Sequence, residues 1–305
     1  MYIVIKQINT AFIKRKEILS DGTDSFRAFD GDGDGDPNVF IDVFAGHWLV
    51  SYLQKKPTDV VNCELPRESL WFKKLDKNDK GSATCEDGDS SIREIVIKEN
   101  NVKYLIDLQV GYSQGIFLDQ RDNRLEVRQR SSGIRVLNCF SYTCAFSVVA
   151  ALGGAVSTTS IDLSNSYLEW GKRNFLLNGI DPDQADHYFC KGDVFEWLQQ
   201  FKRKGRKFGG IVLDPPSFSR AGKRGVFSAK KDYSALVSEA SALIDGKGWI
   251  LASCNHHGIS NDEFVRSLEI GVNDSGLKIN SIDQKSMPLD FSGDDYLKSF
   301  WIEFK

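Results

Sequence analysis

From residue 134 to residue 276 the chain alternates short apolar runs with amphipathic stretches, and this alternation constrains its fold more than any other feature. The segments IRVLNCF, STTSIDLS, HYFCKGD, GGIVLD and GKGWILASCN read as strands. AFSVVAALGG, NSYLEWGKRNFLLNG, VFEWLQQF and DYSALVSEASALI lie between them with the apolar spacing of helices, and DEFVRSLEIGVNDSG follows as another. Strands joined through helices lie parallel, because a parallel pair needs a long crossover and that crossover is right-handed. The final runs, LKINSIDQK and LKSFWIEF, have no helix between them and are expected to pair antiparallel. The expected fold is therefore α/β and Rossmann-like, with a mostly parallel seven-stranded sheet whose last strand is antiparallel.

The first hundred residues follow another pattern. VFIDVFAGHWLVSYLQ (39–54) reads as two strands turning at Gly46, and LPRESLWFKKL (65–75) as a helix. GSATCEDGDSS (81–91) reads as an exposed loop, and REIVIKENNVKYLIDLQ (93–109) as a hairpin turning at Asn100-Asn101. FLDQRDNRLEVRQR (117–130) reads as a charged helix ending before Gly133. Strand-strand-helix, twice over, predicts a smaller α+β domain over 1–108, ahead of the α/β domain over 109–305.

Ligands of open α/β sheets bind outside the carboxyl ends of the strands. GGIVLDPPSF (209–218) is the most constrained such end. Its apolar run implies a strand covered on both faces, and Pro215-Pro216 stop the ladder and stiffen the turn that carries Asp214 and Phe218. Asp162 and Asp193 end the two strands before it. Three acids along one rim, with Asp162 about 20 residues after the first turn, suit a nucleoside whose ribose hydroxyls need acceptors. The first turn, LNCFSYTCAF (137–146), lacks GxGxxG, so a bound pyrophosphate is not expected.

Other features exclude more than they propose. A net charge of −3 rules out a uniformly basic nucleic-acid binder but leaves room for a local basic patch. Two basic runs qualify. SRAGKRGVFSAKKDY (219–233), with Arg220, Lys223 and Arg224, follows the Pro-Pro turn and reads as a flexible cationic lid for RNA. KRKGRK (202–207) lies at the other end of the same strand and reads as surface. The six cysteines form no CxxC pair, which suits a reducing cytoplasm. DGDGDGDPNVFI (30–41) has the opening offsets of a calcium loop but ends on Ile41 where a bidentate carboxylate is needed. His256 and His257 are adjacent on an extended strand and face opposite ways. No metal and no membrane partner is therefore expected, and the oligomeric state is open.

The segments GYSQGIFLDQRDNR (111–124), RVLNCFSYT (135–143), SIDLSNSYLEWGKRNFLLNG (160–179), GDVFEWL (192–198) and VLDPPSF (212–218) together resemble the bacterial large-subunit rRNA cytosine-5 methyltransferase family, which also contains a guanine-N7 relative. FRAFDGDGDGDPNVFIDVFAGHWLVSYLQ (26–54) resembles the start of that family's central α+β domain. The resemblance implies a class I methyltransferase fold with S-adenosylmethionine as cofactor and RNA as substrate. The family's N-terminal PUA-type module is expected to be missing, since only about 25 residues precede the matching region.

Cofactor contacts are then expected at Gln120, Arg121, Asn138, Phe140, Ser141, Tyr142, Asp162, Leu163, Asp193, Val194 and Asp214. Pro215, Pro216, Phe218, Arg220, Lys223 and Arg224 are expected to face the RNA. Cytosine C5 is a poor nucleophile until a thiolate adds to C6, and Cys254, in ASCNHH, matches the position of the family's Cys. Cys254 and Asp214 are thus the expected catalytic pair. Cys144, where the family pattern has Gly, and Asn255, where it has Ser, depart from that pattern. Guanine methylation at N7 or N2, and a non-catalytic S-adenosylmethionine- or RNA-binding protein, are the alternatives.

Overall fold

The computed structural model describes residues 2–15, 22–76, 81–110, 113–184, 186–221 and 225–305. They divide into two compact units, Met1–Arg121 with Met287–Asp295, and Asp122–Ser286 with Tyr296–Lys305.

The first unit begins with helix α1 (Tyr2–Lys14), followed by β1 (Ser25–Asp30), β2 (Val39–Phe44), β3 (His47–Tyr52), β4 (Ser69–Lys74) and β5 (Thr84–Asp87). These strands form one sheet in chain order, antiparallel except where β3 and β4 run parallel. Strands β6 (Glu94–Glu99) and β7 (Val102–Asp107) form the expected hairpin, with Asn100 and Asn101 both at positive φ as a tight turn requires. Two expectations fail. Residues 65–75 are not helical, because Leu70, Trp71 and Phe72 are all buried in β4 and aromatic packing on a sheet outweighs local helix propensity. Residues 81–91 are not all loop, because β5 pairs with β4 there. Helix α1 covers the sheet through Ile8, Ala11 and Phe12, whose ring stacks on Trp48. Asp34 binds Arg15, and Asp30 binds Arg27 and the amide of Gly293, so acids of the Gly-Asp run serve the unit's own cations and backbone.

The second unit opens at Asp122, inside α2 (Arg121–Arg130), and continues through β8 (Arg135–Cys139), α3 (Ala145–Leu152), β9 (Ser157–Asp162), α4 (Asn165–Leu177), β10 (His187–Lys191), α5 (Val194–Arg203) and β11 (Phe208–Leu213). A small hairpin, β12 (Phe218–Ala221) with β13 (Gly225–Ser228), precedes α6 (Ala229–Ser241), β14 (Ile244–Cys254), α7 (Asn261–Ser275), β15 (Ile279–Lys285) and β16 (Lys298–Phe304). The seven-stranded sheet has the order β10-β9-β8-β11-β14-β16-β15. The pairs from β10 to β14 are parallel and β16 is antiparallel to both its neighbours. This is the expected doubly wound, Rossmann-like sheet. Leu137, Ile161, Ile211, Leu213, Ile250 and Ala252 lie on one face in a cluster with α5, α6 and α7, and the alternating residues Val136, Val212 and Leu251 are also buried, so the strands are covered on both faces.

Candidate active site at the strand ends

The sheet order sets the sites in a row. Moving across the carboxyl rim, one meets Asp193 after β10, Asp162 at the end of β9, the 140–144 turn after β8, Asp214 after β11 and Cys254 at the end of β14. Neighbouring strands lie about 4.8 Å apart, so this row spans roughly 19 Å, enough for a nucleoside on one side and a base on the other.

The turn after β8 is unusual. Phe140, Tyr142 and Cys144 have φ of 59°, 49° and 61°, left-handed values at three alternate positions without a glycine. Each costs about 1–2 kcal/mol for an L-residue, so the surroundings must hold them. Ser141 N–H donates to Ile161 O (2.8 Å), Tyr142 N–H to Asp162 Oδ2 (2.9 Å) and Cys144 N–H to Ser141 O (2.8 Å). Helix α4 supports the turn from outside, where Asn174 Nδ2 donates to Thr143 O (2.9 Å). Gly171 leaves the space that the Cys144 thiol fills, since a Cβ there would lie 2.4 Å from Sγ. The segment lacks the glycine motif, yet its backbone takes left-handed values at all three positions. Only tertiary contacts reveal this.

Asp162 uses one oxygen for Tyr142 N and the other for Ser164 N (2.8 Å), which leaves further lone pairs on both. Burial raises its pKa, partly offset by these two amides. Asn138, buried in β8, donates through Nδ2 to Ser147 Oγ (3.0 Å), and its Oδ1 has no partner among the described residues. A buried acceptor of that kind calls for a donor, and the purine or sugar of a nucleoside offers several. Leu163 is exposed beside Asp162. Asp193 caps α5 by accepting from Glu196 N (3.2 Å), and Val194 is buried in the first turn. These residues fit an adenosine-type cofactor with an acceptor pair at its ribose.

On the other half of the rim, Pro215 is buried, Pro216 exposed and Phe218 62% exposed, its ring edge-on to His256 at 5.8 Å. Ser217 Oγ donates to Asn255 Oδ1 (2.8 Å), which ties the Pro-Pro turn to the end of β14. Cys254 is only 1% exposed, and burial raises its pKa, with the His256 amide and Lys298 opposing and Asp214 adding to the rise. Lys298 Nζ donates to the carbonyls of His256 and Tyr296. Beneath both ends, the buried Tyr233 hydroxyl lies within hydrogen-bond reach of Leu213 O (3.1 Å) and Ser253 O (2.8 Å), just before Asp214 and Cys254. Sequence reading missed Tyr233, which passes for an ordinary apolar position of α6.

The expected basic lid is a hairpin in its backbone. Lys223 and Arg224 lie outside the described residues, as does the Arg220 side chain. Gln120 and Arg121 belong to the first unit, where Arg121 makes a bidentate ion pair with Asp290 (2.6 and 2.9 Å).

Residues 73–282 match the family of S-adenosylmethionine-dependent methyltransferases. YwbD of Bacillus subtilis, a candidate ribosomal RNA large subunit methyltransferase, is 35% identical over 302 residues, which cover 95% of this chain and 76% of YwbD. Ribosomal RNA large subunit methyltransferase K of Neisseria meningitidis is 38% identical over 225 residues, 73% of this chain and 60% of that protein. For the K/L enzyme of Acinetobacter baylyi the figures are 38% over 207 residues, 67% of this chain and 28% of that protein. This chain thus spans less than two thirds of the K enzyme and under a third of the K/L enzyme. Among solved structures, SMU.776, a candidate methyltransferase in complex with SAH, superposes with a TM-score of 0.88 at 31% identity, over 98% of this chain and 80% of that one.

Proposed function

We propose, for a chain that belongs to the S-adenosylmethionine-dependent methyltransferase family, that it methylates a base of large-subunit ribosomal RNA and that this base is a guanine. S-adenosylmethionine is the cofactor, and when bound it supplies a methyl group on a positively charged sulfur. Asp162 accepts from the ribose hydroxyls, and Asn138 Oδ1 takes a donor from the same ligand. On the far half of the rim, Asp214 accepts from base N–H groups and Phe218 stacks on the base. The RNA assignment rests on the names of the relatives. The first unit and the β12–β13 hairpin serve as the RNA-facing parts.

The choice of base rests on Cys254. Methylation of cytosine C5 through a C6 adduct needs an accessible thiolate. Cys254 stands at the expected strand end, but it is 1% exposed and its burial favours the neutral thiol. Guanine N7 carries a lone pair that attacks a methyl group directly, with no adduct and no proton to remove first. The test is Cys254→Ala assayed on total rRNA with labelled cofactor. Retained turnover, together with no adduct on 5-fluorocytosine-substituted RNA, supports direct attack. Lost turnover with intact S-adenosylhomocysteine binding, or a covalent adduct in the parent protein, would establish the cytosine route through Cys254 instead.

A further inference from the structure

The carboxyl rim leaves one charged feature of the second unit without a role. At the opposite, amino-terminal ends of β8, β10, β11 and β14 lies an open cavity of about 700 Å³ lined by Arg135, Tyr188, Gly205, Arg206, Lys207 and Asp245. Arg206 packs its guanidinium over three rings, 4.9 Å from Tyr188, 5.1 Å from Phe201 and 5.7 Å from Phe208. Those rings fix its plane while leaving its N–H edges unpaired among the described residues. Arg135 is exposed and likewise has no carboxylate partner among the described residues. Lys207 donates to Ala242 O, which anchors its head at the same mouth. Lys202, Arg203 and Lys204 follow one another at the end of α5, all exposed. Asp245 is the one acid in the lining.

A protein of net charge −3 that gathers six cations here, two of them unpaired arginines, presents an anion site. Planar guanidinium groups favour bidentate phosphate oxygens, and the partly exposed Tyr188 offers a ring to an adjacent base. We propose that this cavity holds a phosphodiester of the RNA substrate, as a second contact on the side of the sheet away from methyl transfer. The inference rests on the reading of RNA as substrate. A strand rises about 3.3 Å per residue, so the cavity lies roughly 17–20 Å from the catalytic rim. An RNA touching both must curve past an edge of the second unit, and a short oligonucleotide around the methylated base would not reach.

The test combines Arg135→Gln with Arg206→Gln in the full chain. RNA binding is measured from 50 to 200 mM salt, alongside S-adenosylhomocysteine affinity and turnover on long and short RNA. Losing two phosphate contacts should lower the salt slope by about 1.4–1.8, so the parent's loss of affinity across that range exceeds the variant's by about tenfold. Cofactor affinity and turnover on the short RNA should stay unchanged, while KM for the long RNA rises and kcat holds. Asp245→Asn should shift RNA affinity the opposite way. Should the Arg206 variant misfold, Arg135→Gln with Lys204→Gln keeps the rings covered and carries the same expectation. A variant that binds with the parent's full salt slope overturns the proposal and leaves the RNA reading intact. If the parent itself binds no rRNA, the RNA reading fails first. Binding of the parent, but not the variant, to anionic lipid vesicles rather than RNA would assign the cavity to a membrane surface and also overturn the proposal.

Discussion

Replacing Gly171 by Ala tests how the 140–144 turn is held. A methyl group there would sit 2.4 Å from Cys144 Sγ, 2.8 Å from Cys144 Cβ and 3.3 Å from Thr143 O. The first two contacts lie more than 0.5 Å inside ordinary packing, and forced overpacking costs about 1–3 kcal/mol, against about 1 kcal/mol gained from Ala over Gly in a helix. Gly171→Ala alone should therefore destabilise by up to about 2 kcal/mol. It should also weaken S-adenosylhomocysteine binding, because the displaced Cys144 pushes on the turn carrying Phe140 to Tyr142. In a Cys144→Gly background both close contacts are gone and the left-handed position costs nothing sterically. The same Gly171→Ala change should then stabilise by about 1 kcal/mol. The difference between the two backgrounds is the overpacking cost itself, a coupling energy of about 1–3 kcal/mol. Urea unfolding of the four proteins, followed by fluorescence with and without S-adenosylhomocysteine, measures it. Effects that add within about 0.5 kcal/mol would mean that the thiol and the helix do not press on one another.

Three other perturbations have defined outcomes. Asp162→Ala should weaken S-adenosylhomocysteine binding by about 1–3 kcal/mol of charge-assisted hydrogen bonding, read by calorimetry, and unchanged affinity would place the ribose elsewhere. Tyr233→Phe should cost about 1–3 kcal/mol in stability by leaving carbonyls at the ends of β11 and β14 short of a donor, and should lower kcat with the cofactor Kd unchanged; equal activity would show that the ends need no such brace. Burial raises the thiol pKa of Cys254 and lifts that of Cys144 to about 12, so their thiolates form only above the usual cysteine range. Burial raises the Cys85 and Cys190 thiols as well, but these two are partly exposed where Cys254 and Cys144 are buried, so iodoacetamide at pH 8 should label them first, with peptide mass spectrometry reporting the order; prompt labelling of Cys254 would revive the nucleophile.

The second unit was legible because its strands and helices each carry a local signature and the crossover rule leaves few topologies. The strand-end positions of Asp162 and Asp214 could be read for the same reason, since the strands that carry them have local signatures. The first unit was harder. Ser69–Lys74 was read as helix because its partners, β3 and β5, are distant in sequence or weak in pattern, and pairing rather than propensity makes it a strand. The left-handed backbone of the turn after β8 carried no sequence signal, because a glycine motif is only one route to it. Here Asp162, Ile161 and Asn174 hold Phe140, Tyr142 and Cys144 there instead. Burial of Cys254 was invisible, since a cysteine at a strand end looks the same in sequence whether its thiol faces the cleft or the core.

The identity of the methylated nucleoside tests the account most directly. Large-subunit rRNA from cells lacking the gene, incubated with the protein and isotopically labelled S-adenosylmethionine, is digested to nucleosides and resolved by mass spectrometry. The account predicts that the label appears in a methylguanosine, and that it still does so with Cys254→Ala. Label in 5-methylcytidine, lost on replacing Cys254, would contradict it.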